Sequence, residues 1–123
     1  MAMALKIMID KNKAMITWKY NGKEYKHRLE NLDQAMISEK LDCIFILSSA
    51  CPFPDELHIL GFYGNEIAKL SPPKGSKFYY LTTDSNSGVF IVCTFDSKVN
   101  GWHDWHYSYN KDTKELVMES PAY

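Results

Sequence analysis

The chain has 123 residues, 46% of them hydrophobic and 24% charged, and its 14 Lys and Arg nearly balance 15 Asp and Glu for a net charge of −1. A chain of this mass buries roughly two-thirds of its unfolded surface, so residues 1–123 make a single domain with its own core, not a disordered segment. The balanced charge argues against bulk electrostatic capture of nucleic acid, and equally against an acidic nucleic-acid mimic.

The N-terminus is apolar but broken by Lys6 and Asp10, and it lacks the basic start and apolar core of a secretory signal. Asn21-Gly22 is the preferred two-residue hairpin turn, because both positions must accept positive φ. It pairs Tyr20 with Lys23, Trp18 with Tyr25 and Ile16 with His27. A second turn at Asp10-Lys11-Asn12-Lys13 pairs Ile9 with Ala14 and Ile7 with Ile16. Both registers put Leu5, Ile7, Ile9, Ile16, Trp18, Tyr20 and Tyr25 on one face, which predicts a three-stranded meander. Lys19, Lys26 and Arg28 lie on the opposite face, balanced only in part by Glu24.

Asn31 and Gln34 have capping-box spacing, and Leu32, Ala35, Met36, Ile37 and Leu41 supply an apolar stripe, which predicts one helix over 31–41. Cys43-Ile44-Phe45-Ile46-Leu47 is apolar on both faces and reads as a buried central strand. It is far shorter than the about 20 apolar residues that span a bilayer. A loop with Pro52 and Pro54 follows. Strands are then predicted over 57–63, 66–70, 78–83, 89–95, 102–109 and 115–119, separated by turn residues. The expected fold class is mainly β or α+β: an antiparallel meander of about nine strands with one helix. A bent sheet, a partial barrel and a sandwich all fit.

Cys43, Cys51 and Cys93 are odd in number and contain no Cys-x-x-Cys pair, so neither a disulfide framework nor a zinc site is expected. Thiol usage and the missing signal and membrane spans together predict a reduced, cytoplasmic protein.

The segment Trp102-His103-Asp104-Trp105-His106-Tyr107-Ser108-Tyr109 is richest in chemistry-bearing side chains. On a strand, His103, Trp105, Tyr107 and Tyr109 make the core face, and Trp102, Asp104, His106 and Ser108 the surface face. Asp104, His106 and Ser108 stand about 7 Å apart, too far for a hydrolytic triad, and no nucleophile elbow is present. His103 and His106 point to opposite faces, so with Asp104 they do not make a metal site. Cys51, with His58 seven residues on, reads as a loop anchor and not as an activated thiol. Pro72-Pro73-Lys74-Gly75 has one glycine and is no phosphate cradle, and Asp84-Ser85-Asn86-Ser87-Gly88 lacks the final Glu of a calcium loop, Phe95 standing there instead. The aromatics around 102–109 are interleaved with Asp, not bordered by Lys and Arg, which disfavours a stacking platform for nucleic acid. No cofactor is implied, and a non-enzymatic binding protein is the leading class. Tyr and Trp suit it, since they anchor interfaces at low entropic cost.

The ending Trp102 to Tyr109, followed by Asn110-Lys111-Asp112-Thr113-Lys114-Glu115-Leu116, resembles that of many small bacterial immunity proteins. Those end in a strand of the W-x-W-x-F/Y type, a D-x-x-T-G-E-L turn and a short strand. Here Lys114 replaces the usual glycine, and Asn110 the turn's first Asp. The resemblance covers about twenty-five residues. It implies a partner: a cognate toxin domain of a contact-dependent inhibition or Rhs-type system, neutralised by occlusion of its active site or at an exosite. The expected contact surface is Trp102, Asp104 and His106 with Asp55 and Glu56. Two alternatives are a small-ligand-binding or enzymatic β-barrel with a pocket lined by His58, Tyr79, His103 and Trp105, and a structural or adaptor module.

Overall fold

Residues 5–49, 52–83 and 88–122 are described by a computed structural model, and among them there are eleven strands and no helix. Cys51 and residues 84–87, which carried sequence-based expectations, lie outside these. The strands are β1 (Ile7–Asp10), β2 (Met15–Tyr20), β3 (Lys23–Arg28), β4 (Leu32–Ser38), β5 (Cys43–Ser48), β6 (Glu56–Gly61), β7 (Glu66–Leu70), β8 (Ser76–Thr83), β9 (Val89–Val99), β10 (Trp102–Asn110) and β11 (Glu115–Pro121). They form three antiparallel sheets, β1-β2-β3, β4-β5-β6-β7 and β8-β9-β10-β11, each a meander of consecutive strands.

The sheets stack as three layers, and alternation along β5 shows why. Cys43, Phe45 and Leu47 join Leu57 and Ile59 in a core shared with Phe78, Ile91, Cys93, Trp105, Tyr107 and Tyr109 of the third sheet. Ile44 and Ile46 point the other way and pack with Leu60 and Phe62 against Ile16 and Trp18 of the first sheet. The middle sheet is therefore covered on both faces along β5, every residue of which is buried. This is the continuous apolar run expected of a strand covered on two sides.

The same geometry removes the helix predicted over 31–41. Those residues form β4 and the turn after it. Ala35 and Ile37 pack on the core against the first sheet and Met36 on the core against the third, so consecutive apolar residues serve two layers. On a helix the same residues make one broad stripe. Asn31 has a φ of 56°, a left-handed turn residue and not a helix cap.

The β2–β3 register is as predicted, with Trp18 opposite Tyr25 and Ile16 opposite His27. The β1–β2 register differs by two residues: Ile7 faces Trp18 and Ile9 faces Ile16. The turn spans residues 11–14 and closes with Ala14 at φ 52° and a bond from the Lys13 amide to Asp10 Oδ1 at 3.1 Å. A shift of two keeps every side chain on its predicted face. In β10, Trp105, Tyr107 and Tyr109 are buried as expected, but His103 is exposed. A bulge against β9 falls between Trp102 and Asp104, and the freed His103 ring bonds the Phe95 carbonyl at 2.8 Å through Nδ1.

Candidate functional site

The five expected contact residues do not converge. Asp104 and His106 lie on the outer face of the third sheet, opposite Trp105 and Tyr107. His106 pairs with Val92 and Ser120, Val92 with Tyr80, and Asp104 with Thr94. This face is knitted together internally. His106 Nδ1 meets Ser120 Oγ at 3.2 Å, its ring lies 4.9 Å from that of Phe90, and Ser108 Oγ donates to Glu119. Asp104, His106 and Ser108 thus share a face without engaging one another. Trp102 sits at the strand's start, 40% exposed.

Asp55 is exposed just before β6, and Glu56 points away from the third sheet. The reason is parity: Leu57 and Ile59 face that sheet, so Glu56 and His58 face the first one. His58 is buried between two carboxylates, with Glu56 Oε1 3.1 Å from Nε2 and Glu66 Oε1 3.4 Å from Nδ1. Ser48 Oγ donates to Glu56 at 3.4 Å, and Lys69 Nζ lies 3.7 Å from its other oxygen. The hydrogen bond from His58 holds the Glu56 carboxyl below its usual pKa against a smaller opposing effect of burial, with Lys69 helping. His27 on β3 approaches from the first sheet. Burial, then the charge on His58, pushes its pKa down, and Glu66 partly offsets them. This polar seam joins two layers. Among the described residues, no group of three or more His, Cys, Asp or Glu is placed to hold a metal ion.

The pocket expected from His58, Tyr79, His103 and Trp105 is not assembled. His58 faces the first sheet, Trp105 lies in the core between the middle and third sheets, and Tyr79 and His103 are on the surface. Cys43 and Cys93 are buried thiols in that core, and burial pushes both up to about 12. Neither has the depressed pKa of a nucleophile.

One surface was missed in the sequence. Asn21 and Gly22, at φ 52° and 76°, close the β2–β3 hairpin and set Tyr20 and Tyr25 near its end. The β6–β7 turn, residues 62–65, docks against them. Trp18 Nε1 donates to the Phe62 carbonyl at 2.8 Å, and Trp18 stacks on Tyr25 at 5.8 Å. Tyr63 meets Tyr20 edge-on at 5.0 Å and Tyr25 at 6.2 Å, and Asn21 Nδ2 donates to its hydroxyl at 3.4 Å. Lys23 Nζ sits 5.5 Å from the Tyr25 ring centre. Tyr63 remains 63% exposed, more than Tyr79 or Trp102. The signal lay in two turns with one composition: Tyr20-Asn21-Gly22 and Tyr63-Gly64-Asn65.

No family model, curated protein or solved structure matches this chain.

The C-terminal hairpin turns between Asn110 and Lys114. Lys114 has a φ of 58°, so the backbone there is in the region glycine favours. Asn110 Oδ1 accepts from the amides of Asp112 at 2.9 Å and Thr113 at 3.1 Å, a turn that an aspartate carboxylate makes equally well.

Proposed function

We propose that this chain is a cytoplasmic immunity protein that binds a cognate toxin domain and neutralises it, at the active site or at an exosite. The C-terminal hairpin carries the reading, since Asn110 and Lys114 hold the conformations favoured by the Asp and Gly of the immunity-type ending. The Tyr20–Tyr25–Tyr63 cluster supports a binding role. It presents amphipathic rings, already braced by one another, at the edge of two sheets, and such rigid aromatics anchor interfaces. The cluster is favoured over the Asp104–His106 row, whose His106 and Ser108 already bond neighbouring strands.

The test is co-expression with the toxin domain encoded beside this gene, followed by pull-down and calorimetry. The expected result is survival of the expressing cells and a complex of sub-micromolar affinity, weakened at least tenfold by Tyr63→Ala. Toxin that still kills, with no complex at micromolar concentration, overturns the proposal.

A further inference from the structure

The outer face of the first sheet is a regular grid set by two registers. Its rows are Lys6–Lys19–Glu24, Met8–Thr17–Lys26 and Asp10–Met15–Arg28, the first of them continuing the pairing of β1 by one step. The alternate residues of these strands, Ile7, Ile16, Trp18 and Tyr25, are turned inward onto the middle sheet. Lys6, Lys19, Lys26 and Arg28 are exposed, and Met8 is 72% exposed. One ion pair, Lys26 to Glu24 at 3.7 Å, is internal to the face, and both partners are more than half exposed.

Charge is divided between the layers. The first 31 residues hold seven Lys and Arg against three Asp and Glu, while the remaining 92 hold seven against twelve. A chain of net charge −1 is therefore a first sheet of +4 joined to a body of −5. An approaching anionic surface is drawn to one side of such a molecule and repelled by the other, which orients encounter and raises its rate.

Resting on the reading of this chain as a toxin-binding protein, we infer that the basic outer face of β1–β3 is the docking surface, and that the partner surface it fits is an acidic protein patch. Met8 and Met15 flank the central Thr17 and supply adaptable apolar contact, and Tyr63 stands at the hairpin end against Tyr20 and Asn21, beside the Lys19–Glu24 row. A protein patch is favoured over a nucleic acid because Asp10 and Glu24 interrupt the cations within the grid, and their carboxylates repel a phosphate backbone laid across it.

The face is tested with probes that need no cognate partner. Backbone amide shifts are followed by NMR at low salt during titration with poly-L-glutamate and, separately, with a DNA duplex of matched charge. The expected result is saturable binding of poly-L-glutamate. Its shifts centre on Thr17, Lys19 and Lys26, and its affinity falls at least tenfold in K19E/K26E/R28E and stays unchanged in K111E/K114E. Tighter binding to DNA, shifts centred elsewhere, or equal loss in both variants overturns the inference. Unchanged thermal unfolding of the triple variant shows that it folds. Once the toxin domain is in hand, a complex that forms equally well with the triple variant overturns the face but leaves the toxin-binding reading intact. Absence of any complex with the unmodified chain overturns that reading, and the poly-L-glutamate titration still judges the face.

Discussion

The side-chain amide of Gln34 on β4 completes a β-ladder rung with Leu81 on β8. Gln34 Oε1 accepts the Leu81 amide at 2.9 Å, and its Nε2 donates to the Tyr79 carbonyl at 3.2 Å. Both strands are sheet edges, so one side chain presents a donor and an acceptor as a peptide group would. It joins the middle sheet to the third and blunts an edge that could otherwise pair with another chain. Gln34→Ala removes both bonds and is expected to cost about 1–3 kcal/mol. Gln34→Glu keeps the acceptor for Leu81 but at neutral pH sets a carboxylate oxygen against the Tyr79 carbonyl and the Asp33 carboxylate, to which Gln34 Nε2 donates at 3.2 and 2.9 Å, so it should destabilise at least as much as Gln34→Ala. Urea unfolding measures both, and a midpoint unchanged in Gln34→Ala contradicts the bridge.

The seam around His58 makes stability fall on the acid side. His27 has a folded pKa below its usual 6.5, through burial first and the charge on His58 second. The unfolded chain therefore takes up that proton more readily. The stability involved is complete above 6.5 and is lost as pH falls through the depressed folded value. Glu56 also has a depressed pKa, mainly from the His58 hydrogen bond. Its contribution is complete above the usual 4.5 and is lost at lower pH still. Denaturant midpoints followed downward from about pH 8 should fall in two stages. His27→Gln should flatten the first and Glu56→Gln the second. A His27→Gln profile parallel to the parent's between about pH 7.5 and 5 rules out the first assignment.

Lys114 holds a left-handed backbone with a side chain that disfavours it. Lys114→Gly is expected to stabilise the chain by about 0.5–1 kcal/mol. Asn110→Ala removes the acceptor for two turn amides and should destabilise it by about 0.5–1.5 kcal/mol. Thermal unfolding of the two variants should move in opposite directions.

Burial makes the thiols of Cys43 and Cys93 poor nucleophiles. In a Cys51→Ser variant, a chromogenic disulfide reagent at about pH 8 should label neither until the chain unfolds. The labelling rate should then track the unfolding rate across a urea series. Rapid stoichiometric labelling in native buffer contradicts the packing described.

The Tyr109 hydroxyl is buried beneath the third sheet with no hydrogen-bond partner. Because a buried polar group without a partner costs stability, Tyr109→Phe should leave the chain as stable or make it more so, by up to about 1 kcal/mol. A clear loss of stability in chemical denaturation contradicts this.

The parts of the fold that could be read in advance are those governed by local rules. Asn21-Gly22 fixed one register because a two-residue turn leaves no choice. The four-residue turn at 11–14 admits more than one closure, and Ala14 in a left-handed conformation moved the register by two. Strand β5 was readable because a strand buried on both sides is apolar throughout. Strand β4 was not, because its apolar residues answer to two layers, and helical periodicity mimics that demand. The site followed the same division. The even face of β10 was placed correctly, but whether Glu56 joined it depended on which sheet lay over β6, and no local pattern states that. Tyr63 was hidden because its partners, Tyr20 and Tyr25, lie some forty residues away in the chain.

Because each sheet is one continuous stretch of chain, the layers emerge from synthesis in order. The first and middle sheets are complete at Leu70, and at that moment Phe45, Leu47, Leu57 and Ile59 form an apolar wall with nothing against it. The third sheet that covers this wall ends at Pro121. Until then the nascent chain carries its largest exposed apolar surface, and that interval is when it is most open to aggregation and most in need of a holding chaperone.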